Sequence, residues 1–233
     1  MDHLWVAGGA AGMFPDAPAP KPSLANPRRP NGIYAIRMHN TASGPRHKDF
    51  IRGFGYQGGG STTFNMNAPG YGAAFKQGVL DPVTSVNLAG FGEVLARYDN
   101  FVEIDPNTVD VYGIPSLRIT MSWGENEKKM IPAMAQTAAE MMEAAGAKNV
   151  FPFSFPNRVP GYGIHEMGTA RMGGDPKTSY LNQYLQNHDI KNLFVMDGSS
   201  FPSSAWQNPT LTIMALAVRS TDYLKEQLRQ GAL

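Results

Sequence analysis

The chain has 233 residues and a formal net charge of +1, with 42% hydrophobic and 17% charged residues. This composition is typical of a globular protein large enough to bury a core, and the near-neutral charge gives no electrostatic reason to expect nucleic acid as a partner. Zero cysteines exclude disulfides, thiolate metal sites and a cysteine nucleophile, and no apolar run approaches the ~18 residues of a membrane span.

The first half of the chain combines a proline-rich stretch with strand-like segments. Residues 13–31 contain six prolines, and because proline fixes φ and removes a backbone donor, we predict an extended surface loop there. We also predict a break at Gly58–Ser61 and irregular structure from there to Gly78. Alternating or β-rich patterns predict strands in four segments, Gly32–Met38, Asp49–Tyr56, Thr84–Asp105 and Leu117–Trp123.

A first helix is predicted from Glu127 to about Ala145. Its apolar residues recur along one stripe with a period of 3.6 residues, as in a helix that packs against a core. Pro132 must lie in the first turn or kink the helix, and Gly146 is a suitable C-terminal stop.

A second helix is predicted from Pro209 to about Gln230. Its early residues are apolar on all sides, so we expect that end to be buried, whereas its charged tail is expected in water. Before it, Leu193–Asp197 reads as a buried strand that ends at Gly198. One strand and one helix do not make a self-sufficient doubly wound sheet, which needs repeated βαβ units.

His165 lies in the sequence Gly-Ile-His-Glu-Met-Gly-Thr-Ala-Arg-Met-Gly, residues 163–173. An imidazole titrates near neutrality and can accept the proton of an alcohol whose hydride is leaving. On local grounds alone, a histidine flanked by glycines is more often structural. The pair His165-Glu166 begins like the zinc motif His-Glu-x-x-His, but Thr169 replaces the second ligand and excludes that motif.

Asn208 follows His165 by 43 residues, in the sequence Gln-Asn-Pro-Thr. Asn followed by Pro209 is a good helix start, with Asn as the N-cap and Pro as the first helical residue, and this needs no function. A helix N-terminus also presents free N–H groups and about half a positive charge to a ligand. The two interpretations are compatible, and both stay open.

Asp197 and Gly198 end the predicted apolar strand. Ligands of open α/β sheets bind at the carboxyl ends of strands, which favours a binding role. Asp-Gly is equally a common turn dipeptide, so a purely structural role is also open.

A dinucleotide-binding Gly-x-Gly-x-x-Gly turn between a strand and a helix is missing from the sequence. Gly8-Gly9-Ala-Ala-Gly12 leads into Pro15 rather than into a helix, and Gly58–Gly60 likewise opens no helix. The remaining histidines show no ligand spacing and are interpreted as surface or structural residues: His3, His39, His47 and His188.

The order of these motifs, His165 first, then the segment ending in Asp197-Gly198, then Asn208-Pro-Thr, resembles the C-terminal segment of the glucose-methanol-choline (GMC) flavoprotein oxidoreductases. Members of that family oxidise alcohols by hydride transfer to FAD, with a His/His or His/Asn pair beside the flavin. The resemblance implies FAD as cofactor, a small-molecule alcohol as substrate, His165 as the base, and Asn208 as the group that hydrogen-bonds the substrate hydroxyl. It implies FAD contacts at Asp197, Gly198, Asn208, Pro209 and Thr210.

The resemblance also implies an α+β organisation in three parts. Residues 1–29 form a proline-rich segment, residues 30–158 a substrate-binding domain with an antiparallel sheet, and residues 159–233 the C-terminal strand–helix segment of an FAD-binding α/β domain. The N-terminal Rossmann part of that domain is absent. The expected partner is therefore that missing FAD-binding half, and the chain alone is expected to be inactive and not to bind FAD tightly.

Two stretches, Asn31-Gly-Ile-Tyr34 and residues 53–60, resemble bacterial sugar or polyol dehydrogenases of the gluconate 2-dehydrogenase or glucoside 3-dehydrogenase kind. The electrons would then leave to O2, a quinone or a cytochrome, and the sequence does not say which. We expect a soluble protein of the bacterial cytoplasm or periplasm. An alternative from another class is a non-catalytic binding or assembly module, or a dead remnant of such an enzyme.

Overall fold

The computed structural model describes residues 1, 3–4, 7–17, 32–64 and 69–233. Most of the predicted proline-rich loop, residues 18–31, lies outside the described part. The described elements, in chain order, are β1 (Gly8–Met13), β2 (Gly32–Met38), β3 (Phe54–Phe64), α1 (Gly72–Leu80), β4 (Pro82–Gly92), β5 (Phe101–Val109), β6 (Pro115–Thr120), α2 (Glu125–Ala144), β7 (Lys148–Ser154), a 3₁₀ turn (Gly198–Ser200) and α3 (Thr210–Arg229).

Two sheets are formed by the described strands. One has five strands in the order β2-β3-β4-β1-β7, and the other is the hairpin β5-β6. Strand β1 pairs antiparallel with both β4 and β7, β2 pairs antiparallel with β3, and β5 with β6. The predicted α+β class with an antiparallel sheet is confirmed.

The glycines of β1 serve packing inside the sheet. A Cβ atom at Gly9 would lie 2.2 Å from the Leu88 carbonyl oxygen and 2.6 Å from the Phe153 ring, and one at Gly8 would lie 2.4 Å from the Ile131 carbonyl oxygen. Only a residue without a side chain allows this approach of sheet and helix. The segment is a strand, which agrees with its rejection as a phosphate-binding turn.

Two local predictions in the first part of the chain are wrong, and one later strand was not predicted. Gly58–Ser61 does not break the chain, because β3 runs straight through it. A Cβ at Gly58 would lie 2.0 Å from the Asn87 carbonyl oxygen, so glycine is required by a close strand approach rather than by a turn. The stretch predicted to be irregular contains α1, whose described residues are all at least partly exposed, and β7 was missed.

Helix α2 buries most of its predicted stripe, but Met141 is only half-buried and Ala145 is exposed. Met130, which the predicted stripe did not include, is buried as well. Met130, Ile131, Met134 and Ala138 are completely buried, and Tyr56 of β3 donates its hydroxyl to the Met134 carbonyl oxygen at 2.6 Å. The helix begins two residues earlier than predicted. Pro132 is its eighth residue and therefore lies inside the helix, beyond the first turn.

The described residues divide into two compact units. One consists of Trp5–Phe91 and Lys128–Arg158, and it contains nearly all of the five-stranded sheet and most of α2. The other consists of Met1–Leu4, Gly92–Glu127 and Val159–Leu233, and it contains both predicted active-site motifs. The assignment of residues 30–158 and 159–233 to a substrate-binding domain and an FAD domain stays a prediction.

The early half of α3 is exposed, which corrects the expectation that it is buried. Leu211 is 78% exposed, Met214 60% and Val218 64%. The helix is held by its second half instead: Ser220 donates its hydroxyl to the Tyr184 carbonyl oxygen at 2.6 Å. The charged tail is exposed as predicted. None of the helices among the described residues is both long and apolar enough to cross a membrane.

Candidate active site

The His165 motif lies beside the turn that contains Asp197 and Gly198. Backbone N–H groups of the motif donate to successive carbonyl oxygens of the turn. The three bonds are Gly168 N to Gly198 O at 3.2 Å, Ala170 N to Ser199 O at 3.0 Å and Met172 N to Ser200 O at 2.8 Å. The structure therefore brings together two motifs that are some thirty residues apart in the sequence.

A glycine is required where the two segments meet. Gly168 has a φ of +86°, and a Cβ there would lie 3.0 Å from the Phe201 carbonyl oxygen. A residue with a side chain would be strained at this φ and crowded by the turn. Gly168 thus fixes the path of the motif directly after His165.

The N-terminal residues of the chain run along the other side of the motif. Met1 and Met167 exchange two hydrogen bonds of 2.8 Å, one from the Met1 backbone nitrogen and one from the Met167 N–H. Further along, Leu4 donates its N–H to the Gly92 carbonyl oxygen at 3.0 Å, and His3 forms a β-bridge with Glu93. Residue 3 is therefore held between two fixed backbone contacts.

His165 is half-buried and in contact with His3. Its Nδ1 lies 2.8 Å from the Nδ1 of His3, and the two rings meet edge to face at 83°, with centroids 4.8 Å apart. The other ring nitrogen of His3, Nε2, hydrogen-bonds the carbonyl oxygen of Ala205. His3 is only 1% exposed.

Of the two alternatives left open for His3, the structure supports the structural one, because the residue is buried. Its contact with His165 was not predicted. The two histidines are 162 positions apart, and no spacing rule for ligands or catalytic groups extends over such a separation. The burial of His3 depends on the whole unit around it, so no local pattern in the sequence reports it.

Asp197 is exposed, and its carboxylate has a local partner. It accepts the backbone N–H of Ser199 at 2.8 Å and caps the 3₁₀ turn that follows. Gly198 is buried, and a Cβ there would lie 3.1 Å from the Glu166 carbonyl oxygen and 3.5 Å from the Ile213 side chain. Gly198 thus lies where the His165 motif and the first turns of α3 meet.

The prediction of a strand at Leu193–Asp197 is wrong. Only one isolated bridge forms in this segment, between Phe194 and Gln186. The bonds from Asn187 N to Leu193 O and from Val195 N to Leu185 O stay within one short local loop, and no neighbouring strand extends them into a ladder. An apolar run becomes a regular strand only where a partner strand is available along its length.

Asn208, Pro209 and Thr210 occupy the start of α3. Pro209 is buried and already has a helical backbone, and its carbonyl oxygen accepts the Ile213 N–H at 3.0 Å. The capping position is therefore Pro209, one residue later than the predicted Asn208. Asn208 and Thr210 are exposed on either side of it.

These residues fit a flavin cofactor. The first turn of α3 contains no acidic residue that would cancel the positive end of the helix, and Thr210 is exposed there. Such a helix end suits the electron-rich edge of a flavin ring.

Residues 96–217 match the family described as GMC oxidoreductase. The chain is 33% identical over 165 residues to the gluconate 2-dehydrogenase flavoprotein of Pantoea cypripedii, covering 68% of this chain and 27% of that protein. It is 39% identical over 137 residues to the 2-methyl-1,2-propanediol dehydrogenase of Mycolicibacterium austroafricanum (59% and 24%). It is 31% identical over 141 residues to the fructose dehydrogenase large subunit of Gluconobacter japonicus (60% and 25%).

Among solved structures, the fold is similar to the pyridoxine 4-oxidase of Mesorbium loti. The TM-score is 0.52 at 17% identity, over 97% of this chain and 43% of that one. By sequence, the chain spans about a quarter of the length of the three curated relatives named in the preceding paragraph.

Proposed function

Because this chain belongs to the GMC oxidoreductase family, we propose that it is the C-terminal part of an FAD-dependent enzyme that oxidises a CH–OH group of a sugar or polyol. The family predicted from the motif order is confirmed, and it implies FAD as the cofactor. When bound, FAD accepts a hydride at its N5 position. One observation supports the proposal above all: the half-buried His165 begins a segment that is hydrogen-bonded to the Asp197-Gly198 turn.

We assign His165 the role of general base. Its Nδ1 faces His3, so its Nε2 is the nitrogen that takes the proton of the alcohol. Because the side chain is half-buried rather than enclosed, a small substrate can reach it. A positioned base of this kind contributes about 10²–10⁴-fold to a rate.

Asn208 and the start of α3 have a supporting role in this proposal. The exposed amide of Asn208 hydrogen-bonds the substrate oxygen, next to the histidine that accepts its proton. The N-terminus of α3, with about half a positive charge, stabilises negative charge on the reduced cofactor. Asp197, Gly198, Pro209 and Thr210 hold the cofactor.

The sugar or polyol substrate is supported by the relatives. Their names refer to gluconate, fructose and 2-methyl-1,2-propanediol, all of which carry several oxygen substituents. One relative is named as a large subunit, which favours an enzyme that works together with a further subunit.

We further propose that the chain works only together with an N-terminal FAD-binding half. It spans about a quarter of the length of its relatives, and it contains no strand–Gly-x-Gly-x-x-Gly–helix sequence to hold the FAD pyrophosphate. The alternative, a non-catalytic module or an inactive remnant, makes a different prediction for the DNA upstream of Met1. An in-frame dinucleotide-binding sequence there supports the enzyme, and a genuine stop codon supports the alternative.

The test of the catalytic role is His165→Ala in the full-length, FAD-loaded protein. We expect anaerobic stopped-flow reduction of the flavin by the alcohol to slow by about 10²–10⁴-fold, with unchanged FAD content, because the role is chemical. His188→Ala is the matched control, since that imidazole lies in the same unit but bonds Ser179 instead. A wild-type rate for His165→Ala from about pH 6 to about pH 9 would show that the histidine is structural.

A further inference from the structure

His3 forms a chain of contacts that links the proposed base to the loop before α3. Its Nδ1 lies 2.8 Å from the Nδ1 of His165. Its Nε2 hydrogen-bonds the carbonyl oxygen of Ala205, three residues before Asn208. The sequence interpretation assigned this residue no role, and the proposed mechanism names it only as the neighbour of the His165 Nδ1.

The chemistry of these contacts fixes where the hydrogens lie. A carbonyl oxygen can only accept, so the Nε2 of His3 must carry the hydrogen that it donates to Ala205. A neutral imidazole has one N–H group, and the Nδ1 of His3 is therefore an acceptor. It follows that His165 donates from its own Nδ1 and has its lone pair on Nε2.

We infer that His3 is a positioning residue that holds His165 in the tautomer with the hydrogen on Nδ1 and the basic lone pair on Nε2. The catalytic meaning of this inference rests on the proposed function. The proton of the alcohol would then be taken up at Nε2. The Nδ1–H of His165 keeps its bond to His3 throughout, and that bond becomes stronger once His165 carries a positive charge.

The surroundings hold the His3 ring in place. The ring is 1% exposed, and the backbone on either side is fixed by the Met1–Met167 pair and by the Leu4–Gly92 bond. The same ring contacts the loop that contains two further buried residues, Ser204 and Trp206. His3 therefore sets the orientation of the base and the position of the loop that leads to Asn208.

Two substitutions test the two contacts of His3 one at a time. The amide of asparagine replaces one ring nitrogen, and the amide of glutamine replaces the other. In His3→Asn the amide lies near the position of Nδ1, so its oxygen still accepts from His165. In His3→Gln the amide reaches the position of Nε2, so it still donates to Ala205 but no longer accepts from His165.

In the full-length, FAD-loaded protein we expect His3→Gln to slow anaerobic flavin reduction roughly 10- to 100-fold, as when the outer partner that orients a functional histidine is removed. His3→Asn is expected to keep most of the rate. The matched control, His188→Gln, is expected to leave it unchanged. A purely structural role would make the asparagine and glutamine variants equally poor, and that result would overturn the inference.

A second readout is independent of activity. Nitrogen-15 magic-angle-spinning spectra of the histidine-labelled, oxidised wild-type protein report which ring nitrogen carries hydrogen, with His3 and His165 assigned from variants that lack each one. We expect His165 as the Nδ1–H tautomer and His3 as the Nε2–H tautomer. Because His165 is assigned from the His165→Ala variant alone, this readout decides the tautomer of His165 even if both His3 variants lose FAD or fail to fold.

The two readouts distinguish failure of this inference from failure of the proposed function. A hydrogen on Nε2 of His165 in the oxidised protein overturns the inference, even if His165→Ala abolishes reduction. The inferred tautomers combined with a wild-type rate for His165→Ala would leave the positioning role of His3 standing and remove the catalytic role of His165.

Discussion

Helices α2 and α3 have the same length, 20 residues each, and both contain an apolar stretch with methionine and alanine. Yet α2 completely buries Met130, Ile131, Met134 and Ala138. In α3 the one buried residue is Ser220, a polar one. The methionines show the difference most directly, because Met134 is completely buried and Met214 is 60% exposed.

The comparison teaches that an apolar helix face is buried only where another surface packs against it, and that the apolar residues by themselves do not ensure this. Helix α2 has the five-stranded sheet against it, as the contact of Tyr56 with the Met134 carbonyl shows. The early half of α3 exposes Leu211, Met214 and Val218 along the helix. A contiguous apolar face of this kind marks an interaction site or an aggregation liability, which agrees with the proposal that an N-terminal half is needed.

The largest expected effect comes from polar substitution of the buried methionine. Met134→Gln places an amide among apolar groups without a partner, and we expect a loss of several kcal/mol in the free energy of unfolding, in line with ~2–5 kcal/mol for lost packing and ~1–3 kcal/mol for an unsatisfied polar group. Urea unfolding of the full-length protein measures it. A change below ~1 kcal/mol would mean that α2 is not packed as described.

The matched substitution in α3, Met214→Gln, is expected to improve the behaviour of the 233-residue chain rather than to destabilise it. We expect the chain alone to aggregate through the exposed face of α3, so Met214→Gln should raise its soluble, monomeric fraction in size-exclusion chromatography. In the full-length protein the same change should instead cost roughly 1.5–3 kcal/mol, the value of burying one such side chain. If the 233-residue chain melts cooperatively as a monomer without any substitution, the need for a second half is disproved.

A smaller effect is expected at the hydroxyl of Tyr56. Removing it in Tyr56→Phe takes away the bond to Met134 and should cost about 1 kcal/mol at neutral pH. Burial raises the pKa of Tyr56 well above its usual value, so the native state favours the neutral phenol. The contribution of that group to stability is complete below the unfolded pKa of about 10 and is lost as the pH rises above it.

The Tyr56→Phe variant should therefore lose less stability than the wild type when the pH is raised from about 9 to about 11. Thermal melts of both proteins across this range measure the difference. Identical pH dependence in the two proteins would show that the phenol ionises as easily when folded as when unfolded.

The smallest expected effect on stability is at Asn208. Because the structure places the helix cap at Pro209 rather than at Asn208, Asn208→Ala should cost no more than the ~1 kcal/mol of a typical cap. Flavin reduction in the full-length protein should slow, but less than in His165→Ala. A loss of FAD in Asn208→Ala with normal reduction of the remaining flavin would assign the residue to cofactor binding alone.

The prediction from sequence succeeded where the signal is local. A period of 3.6 residues predicts the apolar stripe of α2, and a glycine predicts its C-terminal end. The observed ends of the helix lie within two residues of the predicted ones. The family was identified from short motifs, and the match to residues 96–217 confirms it. The roles of His165 and Asn208 remain predictions.

The prediction failed where pairing or burial involves distant segments. Gly58 reads as a break because glycine is usual in turns, but its place in β3 is set by the Asn87 carbonyl oxygen of the neighbouring strand. Leu193–Asp197 reads as a strand because it is apolar, but a ladder needs a partner along its whole length.

By itself the sequence determined helices α2 and α3, the α+β class and the family, because periodicity, helix stops and short motifs act over a few residues. Only the tertiary structure decided that α3 exposes its apolar face, since burial depends on what is packed opposite. It also decided that His3 touches His165. The contact exists because Met1 pairs with Met167 and Leu4 with Gly92, which joins residues that are 162 positions apart.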